Sequence, residues 1–223
     1  MSFNNVKFLL KDTNGKILVG KRLDSLIPYS AIGGKRESGE SELQTLNREL
    51  TEESSNVLKL LKDSGNLYLV ANDQKPYKIL PNIKQKNINK QVYYLMETGS
   101  DLSKDISAMN QLFKKNQNNL VNQAFKVLRN KLPDDISDLQ IFEWIIRFRN
   151  NYYSPYLKLI LQNSGFKESD IKTIIDFIQN IGYSLEMDEL AMVDLSDLKK
   201  GLYEQGIFLV DDPDFKKYFS LTK

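Results

Sequence analysis

The sequence predicts an α+β fold, in which short strands accompany an acidic helix and an all-helical block follows them. Three observations predict it: short apolar runs separated by turn signals in residues 1–100, a helix with one leucine face and one glutamate face inside that region, and helical periodicity throughout residues 101–182. With 223 residues and 41% hydrophobic content, the chain is long enough to bury a core.

Residues 6–10 and 17–21 are strand candidates joined through Thr13, Asn14 and Gly15, a hairpin signal. A third strand is expected over residues 29–32, running into Gly33 and Gly34, and two more over 67–71 and 91–97. Between these last two, residues 74–90 carry Lys75, Lys78, Lys84, Lys86 and Lys90 with no acid. The segment reads as a basic surface loop, either a solvated connection or a contact for an RNA phosphate backbone.

The chemistry concentrates in residues 34–53. Glu49, Glu52 and Glu53 stand at i, i+3 and i+4, which on a helix of about 3.6 residues per turn sets three carboxylates on one face. Leu43, Leu46 and Leu50 form the apolar stripe that this helix buries. Stacked carboxylates repel unless a cation lies among them. Hard oxygen donors with no cysteine or histidine in the chain favour Mg²⁺ or Mn²⁺, hence a phosphoanhydride substrate. Arg48 is placed to orient one carboxylate, and Glu40 lies on the loop entering the helix. An ordinary charged surface helix is the plainer alternative.

The absence of cysteine and histidine excludes disulfides, thiol nucleophiles and imidazole bases, so proton transfer falls to carboxylates, lysine or tyrosine. No apolar run approaches membrane-spanning length, and the N-terminus lacks a signal-peptide layout, so a cytoplasmic protein is expected, in the host cytoplasm if the source is viral. A net charge of +2 does not mark the chain as a nucleic-acid binder.

Gly34, Glu40, Arg48, Glu49, Leu50, Glu52 and Glu53 together resemble the Nudix box, here spanning residues 34–56. The match departs at its end, where Ser55 replaces glycine and Asn56 an aliphatic residue. Asn56 tolerates a left-handed helix terminus, and Val57 supplies the apolar contact one residue late. The resemblance implies a Nudix α/β/α sandwich with a mixed sheet, divided into a first core part (1–100), a helical insertion of about eighty residues (101–182) and a last strand and helix (183–223). Residues 186–198 are similar to the late strand of such domains, with Met192 at the usual tryptophan position and Asp194 at the usual proline. Glu186 and Glu189 would then lie near the metal, or else are exposed strand-end carboxylates.

By that resemblance Glu49, Glu52 and Glu53 hold the metal, with Glu53 first choice and Glu189 second as catalytic carboxylate. Gly33 and Gly34 admit the substrate, and Lys35 and Arg36 meet phosphates or are merely solvated. The implied reaction is hydrolysis of a nucleoside diphosphate linked to a moiety X. The box wording resembles poxvirus and other large-virus mRNA-decapping members, which implies capped RNA as substrate. A methylated guanine would need aromatic stacking, for which Trp144, Tyr152 and Tyr153 are candidates, with helical core as the competing explanation for that stretch. The alternatives are a pyrophosphatase of small nucleotides (ADP-ribose or dinucleoside polyphosphates), a nucleotide-sensing module without catalysis, and an effector whose helices dock a protein.

Overall fold

A computed structural model of the chain describes residues 5–21, 29–71, 76–88, 91–132, 134–147, 154–179, 187–194, 196–198, 203–204 and 207–208. The chain divides into two compact units, Met1–Phe113 with Met187–Lys223, and Lys114–Glu186.

The first unit is built on a mixed sheet. Strand β1 (Asn5–Lys11) puts Val6, Phe8 and Leu10 on one face and Leu9 on the other, all fully buried, so both faces are covered. It turns into β2 (Ile17–Lys21) through Asp12, whose Oδ1 accepts the backbone N–H groups of Asn14 and Lys16 at 2.9 and 3.0 Å, with Gly15 at φ +77°. Strand β3 (Tyr29–Ser30) continues as an extended segment that bridges β1 at Ile32 and Lys35. In the second half of the unit lie β4 (Leu58–Asp63), β5 (Asn66–Ala71), β6 (Tyr77–Lys78), β7 (Lys84–Ile88), β8 (Gln91–Glu97) and β9 (Glu189–Val193). The main sheet has the order β3-β2-β1-β8-β7, with β9 also paired to β2. Strands β1 and β8 are parallel and the other pairs antiparallel. A smaller sheet has the order β4-β5-β6, and β10 (Tyr203–Glu204) pairs with β11 (Ile207–Phe208).

The basic segment at 74–90 is not simply a loop, because residues within it form β6 and β7. The lysines hid β7: Lys84, Gln85, Lys86 and Asn87 carry no apolar alternation, yet they suit a strand at the edge of a sheet, where charge discourages further pairing. Strand β4 follows the acidic helix almost at once.

That helix, α1 (Glu42–Glu53), starts at a capping box: Ser41 accepts from the Gln44 N–H while the Gln44 side chain accepts from the Ser41 N–H. Leu46 and Leu50 are buried against β1 and the smaller sheet, each burial contributing about 1.5–3 kcal/mol. The Asn47 side chain accepts the Leu60 N–H at 2.6 Å and ties the helix to β4. At the C-terminus Ser55 and Asn56 both take positive φ, 52° and 61°, and Val57 turns into the core. The departure from the box pattern is thus accommodated where the helix stops.

Helix α2 (Ile106–Arg129) begins in the first unit, where Leu102, Met109 and Phe113 join the core around β1 and Asn110 exchanges two hydrogen bonds with the Leu190 backbone on β9. The rest of α2 belongs to the second unit with α3 (Asp138–Arg147), α4 (Ser154–Asn163) and α5 (Glu168–Gln179). Their own core includes Leu128, Ile141, Ile145, Leu161 and Ile171. Ser137 and Gln140 cap α3 reciprocally, and Gly165, at φ +80°, ends α4 with its N–H on Gln162 and the Phe166 N–H on Leu161. Among the described residues no helix is long and apolar enough to cross a membrane.

Candidate active site

Backbone geometry sets the site. The segment 32–34 lies antiparallel on β1, with the Phe8 N–H on Ile32 O (2.7 Å) and the Val6 N–H on Gly34 O (2.9 Å). Gly33 sits between these two bonds at φ +136°, and a Cβ there would stand 2.2 Å from Val6 O, so only glycine fits. Its own N–H and C=O turn away from β1. The N–H donates to Glu53 Oε2 at 2.7 Å, and the C=O accepts from Lys7 Nζ at 2.7 Å. A Cβ on Gly34 would lie 2.5 Å from the carboxylate of Glu49, so this second glycine leaves room for that side chain.

Arg48 gathers the other glutamates. Its Nε donates to Glu40 Oε1 at 2.8 Å; Nη1 donates to Glu49 Oε1 at 2.8 Å and Glu52 Oε2 at 3.2 Å; Nη2 donates to Lys35 O at 2.8 Å and Glu40 Oε2 at 3.2 Å. The planar fork makes this multiple contact possible in a way a lysine ammonium does not. Glu40 also accepts the Glu37 N–H and the hydroxyl of Thr45, which is fully buried. The Arg48 bonds, then the Glu37 N–H, hold Glu40 at about 2 against some desolvation. Burial pushes Glu49 and Glu52 up from the ordinary carboxylate value, with Arg48 opposing in both cases.

The three predicted metal carboxylates therefore do not share one environment. Glu49 and Glu52 meet at Arg48, whereas Glu53 is buried, 6% exposed, against Gly33. Adjacent positions on a helix differ by about 100°, and that angle carries Glu53 away from Glu52 toward the sheet. Among the described residues no group of three or more acid side chains is disposed to hold a metal ion. In kind, however, the donors fit one: Glu40, Glu49 and Glu52 outnumber the single guanidinium among them, and hard carboxylate oxygens carrying excess negative charge suit Mg²⁺ or Mn²⁺.

The remaining predicted residues scatter. Lys35 and Arg36 are exposed beside Glu40, and Arg36 Nε donates to Glu40 O at 2.5 Å. Glu189 starts β9 and pairs with Lys21 across the strands at 2.7 Å, the bond that chiefly raises the Lys21 pKa; a carboxylate held there is a sheet-edge partner. Trp144 is not a stacking platform, because it is 5% exposed inside the core of the helical unit, where an amphipathic α3 places its apolar face. Tyr152, Tyr153, Glu186, Lys75 and Lys90 lie outside the described residues, as do the side chains of Lys84 and Lys86, while Lys78 is exposed on β6. Sequence reasoning passed over Lys7. Its signal was a cation inside the apolar run of residues 6–10.

No protein-family model matches the chain, and no curated protein matches it. Among solved structures it is similar to the ORF135 protein of E. coli, with 23% identity over 43% of this chain and a TM-score of 0.23. It is also similar to a MutT described for Aliivibrio salmonicida and Vibrio cholerae, with 20% identity over 44% of this chain and a TM-score of 0.26. The chain spans 58% and 64% of the lengths of those two proteins. At such scores the likenesses carry no argument, and the functional reading rests on the residues.

Proposed function

We propose that the protein is a Nudix-type hydrolase that cleaves the phosphoanhydride of a nucleoside diphosphate linked to a second moiety, X. The observation that carries this reading is the division of labour in the box: Arg48 clamps Glu40, Glu49 and Glu52, while Glu53 is held apart by the Gly33 N–H. A divalent ion held by Glu49 and Glu52 would neutralise the phosphates and lower the pKa of the attacking water. Glu53, fixed by Gly33, takes that water's proton on its carboxylate. Glu40 keeps Arg48 in place and stays ionised across the working pH range. Lys35 and Arg36, exposed at the mouth of the box, meet the phosphates of the substrate. Residues 101–182 are read as a helical insertion within this one domain.

The nature of X separates two versions of the reading, capped messenger RNA and a small nucleotide such as ADP-ribose or a dinucleoside polyphosphate. Burial of Trp144 removes one of the aromatics that the cap version relied on. The deciding experiment offers cap-labelled RNA, ADP-ribose and dinucleoside polyphosphates to the full chain with Mg²⁺ or Mn²⁺, beside Glu53→Gln. Release of methylated GDP that the variant lacks establishes decapping, and turnover of the small nucleotides alone makes this a nucleotide pyrophosphatase. Binding without turnover of any of them overturns the hydrolase in favour of a nucleotide-sensing module.

A further inference from the structure

We infer that the helical unit carries a binding groove of its own, sized and charged for the phosphate and base of a free mononucleotide; the inference does not depend on the hydrolase reading. The groove has a volume of about 550 Å³ and lies between the turn after α2 and the turn from α4 to α5. Small-molecule sites span roughly 300–1,000 Å³, so it has room for one nucleotide but not for a longer strand. Its floor is apolar, made by the half-buried Phe166 and the buried Ile174. Lys131 enters from the turn after α2, and Lys167 from the position just before α5. Asp170 and Thr173 line the α5 side, about one helical turn apart.

The charge of the lining selects an anion. Two other basic side chains of the unit are occupied by acids: Lys158 pairs with Glu168 at 2.5 Å, and Arg129 faces Asp138 at 3.5 Å and Asp134 at 3.9 Å. Among the described residues no carboxylate pairs with Lys131 or Lys167. Lys131 instead stands over the Phe177 ring, its ammonium 5.9 Å from the centroid, a contact that leaves its charge in place. Two lysines against the one acid of the lining, Asp170, give the groove an excess of positive charge. Lysine carries its charge on a flexible four-carbon stem, so both ammonium groups can close on one phosphate. The base of the same molecule then covers Phe166 and Ile174, which an inorganic anion leaves in water.

The test titrates AMP into the full chain without divalent metal and follows the Gly165 and Thr173 amides by NMR, with inorganic phosphate, adenosine and hexaadenylate as separate arms. The expected result is saturable shifts of both amides with AMP, binding of phosphate or adenosine about tenfold weaker, and no gain with the oligonucleotide. Lys131→Met combined with Lys167→Met keeps the aliphatic stems and should weaken AMP roughly tenfold, whereas Asp170→Asn should tighten it about twofold, both effects shrinking as salt is raised. Phosphate binding as tightly as AMP overturns the assignment of a base to the floor. Hexaadenylate binding more tightly than AMP moves the groove to RNA and overturns the free nucleotide. Unmoved amides at Gly165 and Thr173, or an AMP affinity that neither the lysine nor the Asp170 variant changes, overturn the groove itself. Shifts confined to the box residues would place AMP at the candidate active site and overturn it equally.

Discussion

Helix α1 and the helices of Lys114–Glu186 are both amphipathic, but they use their polar faces differently. On α1 the polar side chains are bound to one another and to the backbone: Arg48 joins Glu40, Glu49 and Glu52, Glu53 takes an amide, and Asn47 ties the helix to β4. In the helical unit the core is apolar and the polar residues are largely solvated. Every buried polar or charged side chain among the described residues belongs to the first unit. Buried polar groups cost free energy unless they are fully partnered, so a chain retains them where they do something that packing cannot. The contrast leaves the second unit as a self-packed helical module that exposes Leu139, Ile146 and Leu159.

The largest effect that tests this contrast is at Glu53. Glu53→Gln preserves size and the capacity to accept from Gly33, and is expected to lower kcat by roughly 10²–10⁴-fold with little change in melting temperature, as read by steady-state kinetics and circular dichroism. A helical-unit core change should behave in the opposite way. Ile145→Ala removes a fully buried side chain and is expected to cost about 2–5 kcal/mol in denaturant unfolding of that unit, leaving the contacts of Glu53 untouched.

A subtler comparison lies within the box and depends on pH. Glu40 is held at about 2, below its ordinary 4.5, so its contribution to stability is complete above pH 4.5 and disappears as the pH falls toward 2. Glu49 and Glu52 are raised, so theirs has the other sign, present below about 4.5 and lost as the pH rises through their elevated values. Arg48 drives the first trend and restrains the second. Arg48→Met should therefore flatten the acid loss between pH 4.5 and 2 and steepen the loss above 4.5, measured by urea unfolding across that range. The smallest effect is expected at Leu139, which is 71% exposed: Leu139→Lys should change unfolding free energy by less than about 0.5 kcal/mol, and a larger loss would mean that the helical unit relies on that surface.

Much of α1 could be read in advance because several independent signals coincide there: the Leu43, Leu46 and Leu50 stripe, the acidic face, and the glycines before it. Strands β1, β2 and β8 were legible through continuous apolar runs, as expected of strands covered on both faces. Strand β7 was not, since an edge strand is held by its neighbour's backbone and needs no apolar face of its own. Trp144 shows a second limit. Periodicity places a side chain on a helix face but does not say what covers that face. The contact of Lys7 with Gly33 and the split between Glu52 and Glu53 depend on which backbone amide or carbonyl lies within reach, and spacing along a chain does not encode that distance.

The parallel pairing of β1 with β8 has a kinetic consequence. Asn5 pairs with Gln91, a separation of 91 − 5 = 86 residues, and Lys21 pairs with Glu189, 189 − 21 = 168 residues away. The α1 site lies inside the first of these closures, whereas α3, α4 and α5 are joined by short connections. On a growing chain β1 waits until Glu97 has left the ribosome before its central neighbour exists, and β2 waits for β9 until the whole helical unit has been made. Local contacts form faster than distant ones, so α3, α4 and α5 should pack soon after they are made, and the pairing of β2 with β9 should be among the last events of folding.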